Sequence, residues 1–63
     1  MLKINSLTGL QIGAQDVVEF RNESDTLEKG RVLEIRDYTL HVRSGYDHLL
    51  VGVDSVERVL VKA

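Results

Sequence analysis

The sequence predicts a small all-β domain with five strands and a single short 3₁₀ or helical turn before the last strand. The first indication is composition, because the chain contains nine Val, three Ile and three Thr, and β-branched residues favour strands. The second is the alternation of apolar and polar residues in short segments, which places one face of a strand on a core. The hydrophobic content of 43% supports a core and argues against disorder.

The 63 residues are expected to form one domain, 1–63, in which residues 1–12 are an N-terminal arm or a short strand. Leu2 and Ile4 alternate with Lys3, as in a strand, and a short helical turn over Ser6–Leu10 is the alternative for the residues that follow. The chain has no Cys, so neither a disulfide nor a thiolate-bound metal can stabilise it. Stability must therefore come from packing, with help from self-association.

The segment Asp16–Arg21 is predicted to be a strand whose inward residues are Val18 and Phe20. Phe20 is the only Phe and the chain has no Trp, so Phe20 should be the largest side chain of the core. The polar, turn-rich segment Asn22–Lys29 then connects this strand to the middle of the chain, and its part Asp25–Glu28 is compatible with one helical turn.

The central segment Lys29–Ser44 is predicted to form a hairpin with a tight turn at Arg36–Thr39. Val32 and Ile35 are three residues apart, so they cannot share one face of a straight strand. A bend or bulge near Leu33–Glu34 would place both on the core, and small barrels use such bends to turn corners.

The last third of the chain is predicted to contain two strands separated by a short turn. Gly45 should adopt the left-handed conformation in the loop after the hairpin. The strands are predicted over Leu49–Val53 and Arg58–Lys62, and the intervening 3₁₀ turn over Asp54–Glu57, with the Asp54 carboxylate accepting from the amides that follow. The predicted core of the whole domain comprises Val18, Phe20, Val32, Ile35, Leu40, Val42, Val51 and Val59.

This layout resembles the SH3-like small β-barrels, in which five short strands, a polar loop after the first and a one-turn helix before the last occur in the same order. The residues Gly30-Arg31-Val32 and Ile35, after a strand of the kind Asp16–Phe20, resemble KOW-type modules. Sm-like proteins have a similar Gly that opens a bent second strand, and Asp37 resembles the Asp that follows their bend. The resemblance covers roughly 13–61 and implies a five-stranded SH3-like barrel associated with nucleic acid, RNA above all.

A second resemblance concerns only the N-terminal third. Met1-Leu2, Ile4 and Ile12-Gly13 followed by Asp16 are similar to the opening of the carbon storage regulator family, whose members are small RNA-binding dimers. The chain departs from that family at Lys3, and Phe20–Gly30 would be an insertion.

No residue pattern points to catalysis, a metal or a cofactor, and a non-enzymatic protein without a cofactor is expected. His41 and His48 are the only imidazoles and have no zinc-ligand spacing, so structural or exposed histidines are the simpler interpretation. The carboxylates form no recognisable catalytic pair, and a domain of this size has little room for a deep pocket. The five Gly residues are dispersed and form no phosphate-binding loop.

The charge distribution indicates one candidate surface. The net charge of the chain is −2, which gives no bulk electrostatic reason to bind nucleic acid. Residues 16–30 have a net charge of −3, whereas residues 31–45 have a net charge of +1 and include two aromatic or imidazole side chains among the arginines. Exposed aromatic rings beside Arg can stack on bases and contact phosphates. The predicted nucleic-acid site is Arg36, Tyr38, His41 and Arg43.

The alternative is that these arginines pair with carboxylates across the strands and the tyrosines cover the ends of the domain. Two function classes therefore remain open: a nucleic-acid-associated binding module, or a protein-interaction module or structural subunit that self-associates through a strand edge. Leu49 and Leu50 are adjacent, so one of them should face away from the core, and a homodimer or small ring that uses Leu50 or Leu60 is expected. Without a membrane-length apolar run or a signal peptide, a cytoplasmic protein with no membrane partner is the default expectation.

Overall fold

The computed structural model describes residues 2–63 and contains strands and one 3₁₀ turn but no α-helix in that range. The fold is therefore all-β, as predicted. In the described range no helix is long and apolar enough to cross a membrane. In chain order the elements are β1 (Leu2–Ile4), β2 (Gln11–Gly13), β3 (Val17–Arg21), β4 (Leu27–Arg36), β5 (Thr39–Ser44), β6 (Asp47–Gly52), a 3₁₀ turn (Val53–Ser55) and β7 (Val56–Val61).

Five of the strands form one antiparallel sheet in the order β6-β5-β4-β3-β7, which confirms the predicted strand number of the main sheet. β3 lies between β4 and β7 because its Val17 pairs with Arg31 on one side and with Val61 on the other. β6 and β7 are the edges of the sheet, and among residues 2–63 they form no ladder with each other.

The N-terminal segment forms a separate two-stranded sheet rather than one arm. Leu2 pairs with Gly13 and Ile4 pairs with Gln11, so the strand predicted at Leu2–Ile4 is present and a second strand accompanies it. The residues between them form a hydrogen-bonded turn instead of a helix. Asn5 attaches this turn to the main sheet, because its Nδ2 donates to the Val56 carbonyl oxygen at 2.9 Å and its Oδ1 accepts from two amides of the turn.

The hairpin of β4 and β5 has the predicted bulge. The pairing passes from Val32–Val42 to Glu34–His41, so Leu33 is the extra residue. Val32 and Ile35 can thereby both face the core, although Ile35 is only partly buried. Gly30 permits the close approach of the two strands, because a Cβ at this position would lie 2.3 Å from Val42 Cγ1 and 2.9 Å from the Arg43 carbonyl oxygen.

The core confirms most of the predicted residues and adds others. Val18, Phe20, Val32, Leu40, Val42 and Val51 are buried as predicted, whereas Ile35 and Val59 pack against the core from partly exposed positions. Ile12, Val53 and Val56 are also buried. The prediction omitted them because they lie in or beside short elements in which alternation is too brief to assign a face.

Three local predictions need correction. The segment Asp25–Glu28 forms no helical turn, because β4 begins at Leu27 and extends the hairpin toward the N-terminus. The 3₁₀ turn lies at Val53–Ser55, one residue before the predicted start, and has no side-chain cap. The Asp54 carboxylate instead accepts from the Ser6 amide at 2.8 Å and from the Ser6 hydroxyl at 2.6 Å, so it fastens the N-terminal turn to the sheet.

Candidate nucleic-acid interface

The side of the main sheet that faces away from the core, here called the outer face, carries the candidate site. Residues directly opposite each other in an antiparallel ladder project to the same face, so the strand register identifies its members. Its five cross-strand rows are Arg21–Leu27, Arg58–Glu19–Lys29, Val61–Val17–Arg31–Arg43–His48, Glu34–His41–Leu50 and Arg36–Thr39–Gly52.

The outer face is basic although the chain as a whole is acidic. The five rows contain six Lys or Arg side chains and two carboxylates, a formal charge of +4 with both histidines neutral, against −2 for the whole chain. The acidic residues are therefore concentrated elsewhere, at the turns and on the other surfaces. This separation of charge was only partly visible in the sequence, which gave +1 for residues 31–45.

Three of the four residues predicted for the site share this face. His41 and Arg43 are two apart on β5, and Arg36 pairs with Thr39 at the other end of the hairpin. Two residues of a strand span about 7 Å. The Cα atoms of Arg43 and of Thr39, which lies opposite Arg36, are therefore roughly 13 Å apart. His41 and Arg43 thus share the outward face of β5, as is typical of residues two apart on a strand.

Arg36 has a carboxylate partner on the same face. Its Nη2 lies 3.1 Å from Glu34 Oε1, and both side chains are largely exposed. An exposed pair of this kind contributes little to stability, typically about 0–1 kcal/mol. The guanidinium therefore remains able to exchange this partner for an anionic ligand at low energetic cost.

Tyr38 lies at the end of the hairpin, beside the N-terminal sheet. It follows Asp37, whose positive φ of 55° forms the tight turn, and the residue is 73% exposed. Lys3 Nζ lies 4.7 Å from the ring centroid, within the range of a cation–π interaction. The Tyr38 carbonyl oxygen accepts from the Val53 amide at 3.0 Å, which fixes the turn against the start of the 3₁₀ segment.

Arg43 lies at the opposite end of the hairpin and has no carboxylate partner among residues 2–63. Its Nε donates to the Gly45 carbonyl oxygen at 3.2 Å, which holds the side chain near the β5–β6 turn. His41, in the next row, is half-buried and lies opposite Glu34. The four predicted residues thus form an elongated set in which Arg43 and Tyr38 mark the two ends.

The structure adds Arg31 and His48, which the sequence prediction did not include. Both lie directly beside Arg43, on β4 and β6 respectively. The signal for Arg31 was present in the sequence, because the bulge at Leu33 moves Arg31 into register with Arg43. A straight hairpin closed at the same turn would have paired Arg43 with Val32 instead.

Two shallow grooves flank this surface. One, of about 490 Å³, lies between edge strand β6 and the end of β3, and includes Phe20, Asn22, Leu49, Val51 and Ser55 in its lining. The other, of about 430 Å³, lies beneath Tyr38 and includes Ile4, Gly52 and Asp54. In residues 2–63 no group of three or more His, Asp or Glu side chains is arranged to hold a metal ion.

The carboxylates with shifted acidity serve structural roles. Hydrogen bonds from the Ser6 hydroxyl and then from its amide lower the pKa of Asp54, and hydrogen bonds from Asn22 and Ser44 lower the pKa of Glu28. A general acid needs a raised pKa at neutral pH, so neither shift suits acid catalysis.

No family model, curated protein or solved structure matches this chain.

Proposed function

We propose that the protein is a non-catalytic binding module in the manner of the SH3-like small barrels, and that its outer face binds single-stranded nucleic acid, RNA in the first place. The observation that carries this proposal is the charge of +4 on the outer face of a chain whose net charge is −2. A local basic surface on an acidic protein directs a polyanion to that surface and repels it from the others.

The order of the elements supports the comparison with small barrels. β3 is followed by a polar loop, the β4–β5 hairpin is bent by a bulge, and a 3₁₀ turn precedes β7. β7 then pairs with β3, so the last strand of the sheet lies beside the first. The polar loop, the bent hairpin and the turn before the last strand are among the features on which the resemblance to small barrels rests.

The proposed binding site comprises three residues of this face, Arg36, His41 and Arg43, together with Tyr38 at the end of the hairpin. Arg43 and Arg36 would contact phosphates, and the exposed Tyr38 ring would stack on a base at the end of the hairpin. Lys3 adds a positive charge beside that ring. The acidic loop around Glu23 lies outside this face and would restrict binding to one side.

Replacement of Tyr38 by Ala should weaken binding of a labelled oligouridine by about 1–3 kcal/mol, the usual contribution of one stacked base. Tyr38→Phe retains the ring and should bind nearly as tightly as the native protein. Glu23→Ala removes a repelling charge and should strengthen binding slightly. Fluorescence anisotropy at low salt, repeated with a library of labelled oligonucleotides, measures all four proteins.

Binding should weaken steeply as salt is added, because each neutralised phosphate releases counterions. If no oligonucleotide binds the native protein below high micromolar concentration, the nucleic-acid proposal is wrong. If Tyr38→Ala binds as tightly as the native protein, binding occurs but Tyr38 is not its stacking residue.

A second candidate function is favoured by the free edges of the sheet. Leu50 on edge strand β6 is 71% exposed and Leu60 on edge strand β7 is 37% exposed, whereas Leu49 packs against the core. The prediction that one of the two adjacent leucines faces away from the core is thus confirmed. Apolar side chains on unpaired edges are suited to strand-to-strand association, so we propose a homodimer or small ring as the alternative role.

Light scattering should report an assembly larger than a monomer at high micromolar concentration. Leu50→Lys places a charge on edge strand β6 and should shift the protein toward monomer. Leu7→Lys is the matched control, since Leu7 is 78% exposed but lies in the N-terminal turn, outside both edges. A native protein that stays monomeric would contradict this role, and a pull-down with and without nuclease separates it from the nucleic-acid role.

A further inference from the structure

We infer that Arg31, Arg43 and His48 form a phosphate-binding row that crosses strands β4, β5 and β6 at the end of the outer face remote from Tyr38. This inference rests on the proposed nucleic-acid function and deepens it. It assigns contacts to two residues outside the four-residue site, and it gives the ligand a direction at this end of the sheet, across the strands and not along them.

The strand register brings the three side chains together. Arg31 lies directly opposite Arg43, and Arg43 lies directly opposite His48. Opposed residues of antiparallel strands have Cα atoms about 4.5–5.5 Å apart, so the row spans on the order of 10 Å. The β5–β6 turn next to this row contains Tyr46, which is 97% exposed.

The two arginines have no acidic partner in the described part of the chain. The ion pairs found in residues 2–63 join Arg21 to Asp25, Arg36 to Glu34, Arg58 to Glu19 and Lys62 to Asp16, and none includes Arg31 or Arg43. Asp47, which precedes His48, projects to the other face because neighbouring residues of a strand alternate. The nearby Glu28 instead accepts a hydrogen bond from Asn22 Nδ2 at 3.0 Å.

In a second row of the same face the positive charges are paired with a carboxylate. In it Glu19 lies between Arg58 and Lys29, and Arg58 Nε is 2.9 Å from Glu19 Oε1. That contact is an ion pair and not an aligned hydrogen bond, since Glu19 Oε1 has no hydrogen-bond donor within residues 2–63. The fold thus places a carboxylate between two cations in one row and leaves the adjacent row with two facing arginines.

Like charges directly opposite each other across two strands destabilise a sheet, so the row costs stability in the absence of a ligand. An oxyanion between the two guanidinium groups removes that repulsion. The planar Arg fork matches the oxygens of a phosphate and binds them by paired hydrogen bonds. His48 continues the row onto edge strand β6. There it can reach the next phosphate of the same nucleic-acid chain. The chemistry that fits is a chain of phosphodiesters, with inorganic polyphosphate as the simpler ligand of the same kind.

The test is a charge reversal that should raise the stability of the fold and weaken oligonucleotide binding. Arg31→Glu creates an opposite-charge pair with Arg43, so it should raise Tm by a few degrees. It should also weaken oligouridine binding at least tenfold and lower the salt dependence, with about 0.7 lost from the slope of log K against log salt for each phosphate contact removed. Arg21→Glu is the charge-matched control for binding, since it changes the net charge equally and Arg21 lies four residues along β3 from Val17, the residue opposite Arg31.

The same proteins are titrated with tripolyphosphate and observed by the NMR shifts of the Arg31, Arg43 and His48 amides. Shifts of these amides with both ligands, lost in Arg31→Glu but retained in Arg21→Glu, would establish the row. Shifts with tripolyphosphate and no oligonucleotide binding would keep the phosphate site and overturn the nucleic-acid function. If Arg31→Glu leaves oligonucleotide binding unchanged, the proposed row is wrong but the nucleic-acid function stands. If the native protein responds neither to tripolyphosphate nor to oligonucleotide, both the row and the nucleic-acid function are wrong.

Discussion

Replacement of Phe20 by Ala should lower the free energy of unfolding by about 3–5 kcal/mol, a large part of the stability of so small a domain. Phe20 is the only Phe of the chain, is 1% exposed and is the largest fully buried side chain. It lies on β3, opposite Glu28 on β4 and Val56 on β7. Removal of the ring would therefore leave a cavity beneath β3. Because β3 is paired with β4 on one side and with β7 on the other, it has little freedom to move inward and fill that cavity.

Urea denaturation followed by far-ultraviolet circular dichroism measures this loss, and the spectrum itself should be that of a β protein. Phe20→Leu fills most of the volume and should cost less than half as much. Tyr46→Ala is the control for removing an aromatic ring, because Tyr46 is 97% exposed and its replacement should change stability by no more than about 0.5 kcal/mol. A loss below about 1 kcal/mol for Phe20→Ala would contradict the central position of this residue.

The burial of Phe20 was predictable because local alternation decides it. In β3 the buried Val18 and Phe20 alternate with half-buried Val17 and Glu19 and exposed Arg21, and two residues of the same face suffice to fix the inward side. The bulge at Leu33 was predictable for the same reason, since Val32 and Ile35 could not otherwise share a face. Patterns that lie within one strand or one hairpin are thus readable from the sequence.

The N-terminal sheet was not predictable in the same way. β1 and β2 have three residues each, and Ile12 is buried although its strand is too short to show an alternation. Its attachment to the main sheet depends on contacts such as that between Asn5 and Val56, which are 51 positions apart. Contacts of that kind depend on register across the whole fold, and no local pattern of residue types specifies them.

The candidate site likewise contains residues whose placement the sequence predicts and residues whose placement it does not. The common outward direction of His41 and Arg43 follows from their spacing of two on one strand. The approach of His48 to Arg43 depends on the length of the β5–β6 turn, which the sequence prediction made longer than it is. The contact between Lys3 and Tyr38 joins the two sheets and had no sequence signal.

The second large effect is expected at Asp16, a carboxylate that is 1% exposed yet carries three hydrogen bonds. Its Oδ2 accepts from the Gly13 amide and from Lys62 Nζ, both at 2.8 Å, and its Oδ1 accepts from the Ala63 amide at 2.8 Å. The carboxylate thus connects the end of β2 to the residues that follow β7. Removal of a buried acceptor costs roughly 1–3 kcal/mol for each buried donor left without a partner, and the Gly13 amide is such a donor.

The pKa of Asp16 is lowered in the folded protein although burial, the largest single influence, raises it. The hydrogen bonds from the Ala63 amide, the Lys62 ammonium and the Gly13 amide, together with the charge of Lys62, outweigh the effect of burial. A pKa below the unfolded value means that the ionised form stabilises the native state. This contribution is complete above the unfolded pKa of about 3.9 and is lost as the pH falls through the folded pKa.

Asp16→Asn should therefore destabilise the protein most at neutral pH and progressively less as the solution is acidified. At pH 7 we expect a loss of about 1–3 kcal/mol in the free energy of unfolding, because the amide group presents a donor where Lys62 and Gly13 also donate. Asp54 and Glu28 contribute to the acid sensitivity of both proteins, so the difference between the native and Asp16→Asn urea curves isolates Asp16. That difference should shrink between about pH 5 and pH 2, since protonation of the native carboxylate weakens the same contacts that Asn weakens at every pH. A difference that stays constant over this range would show that the contribution of Asp16 does not depend on its charge.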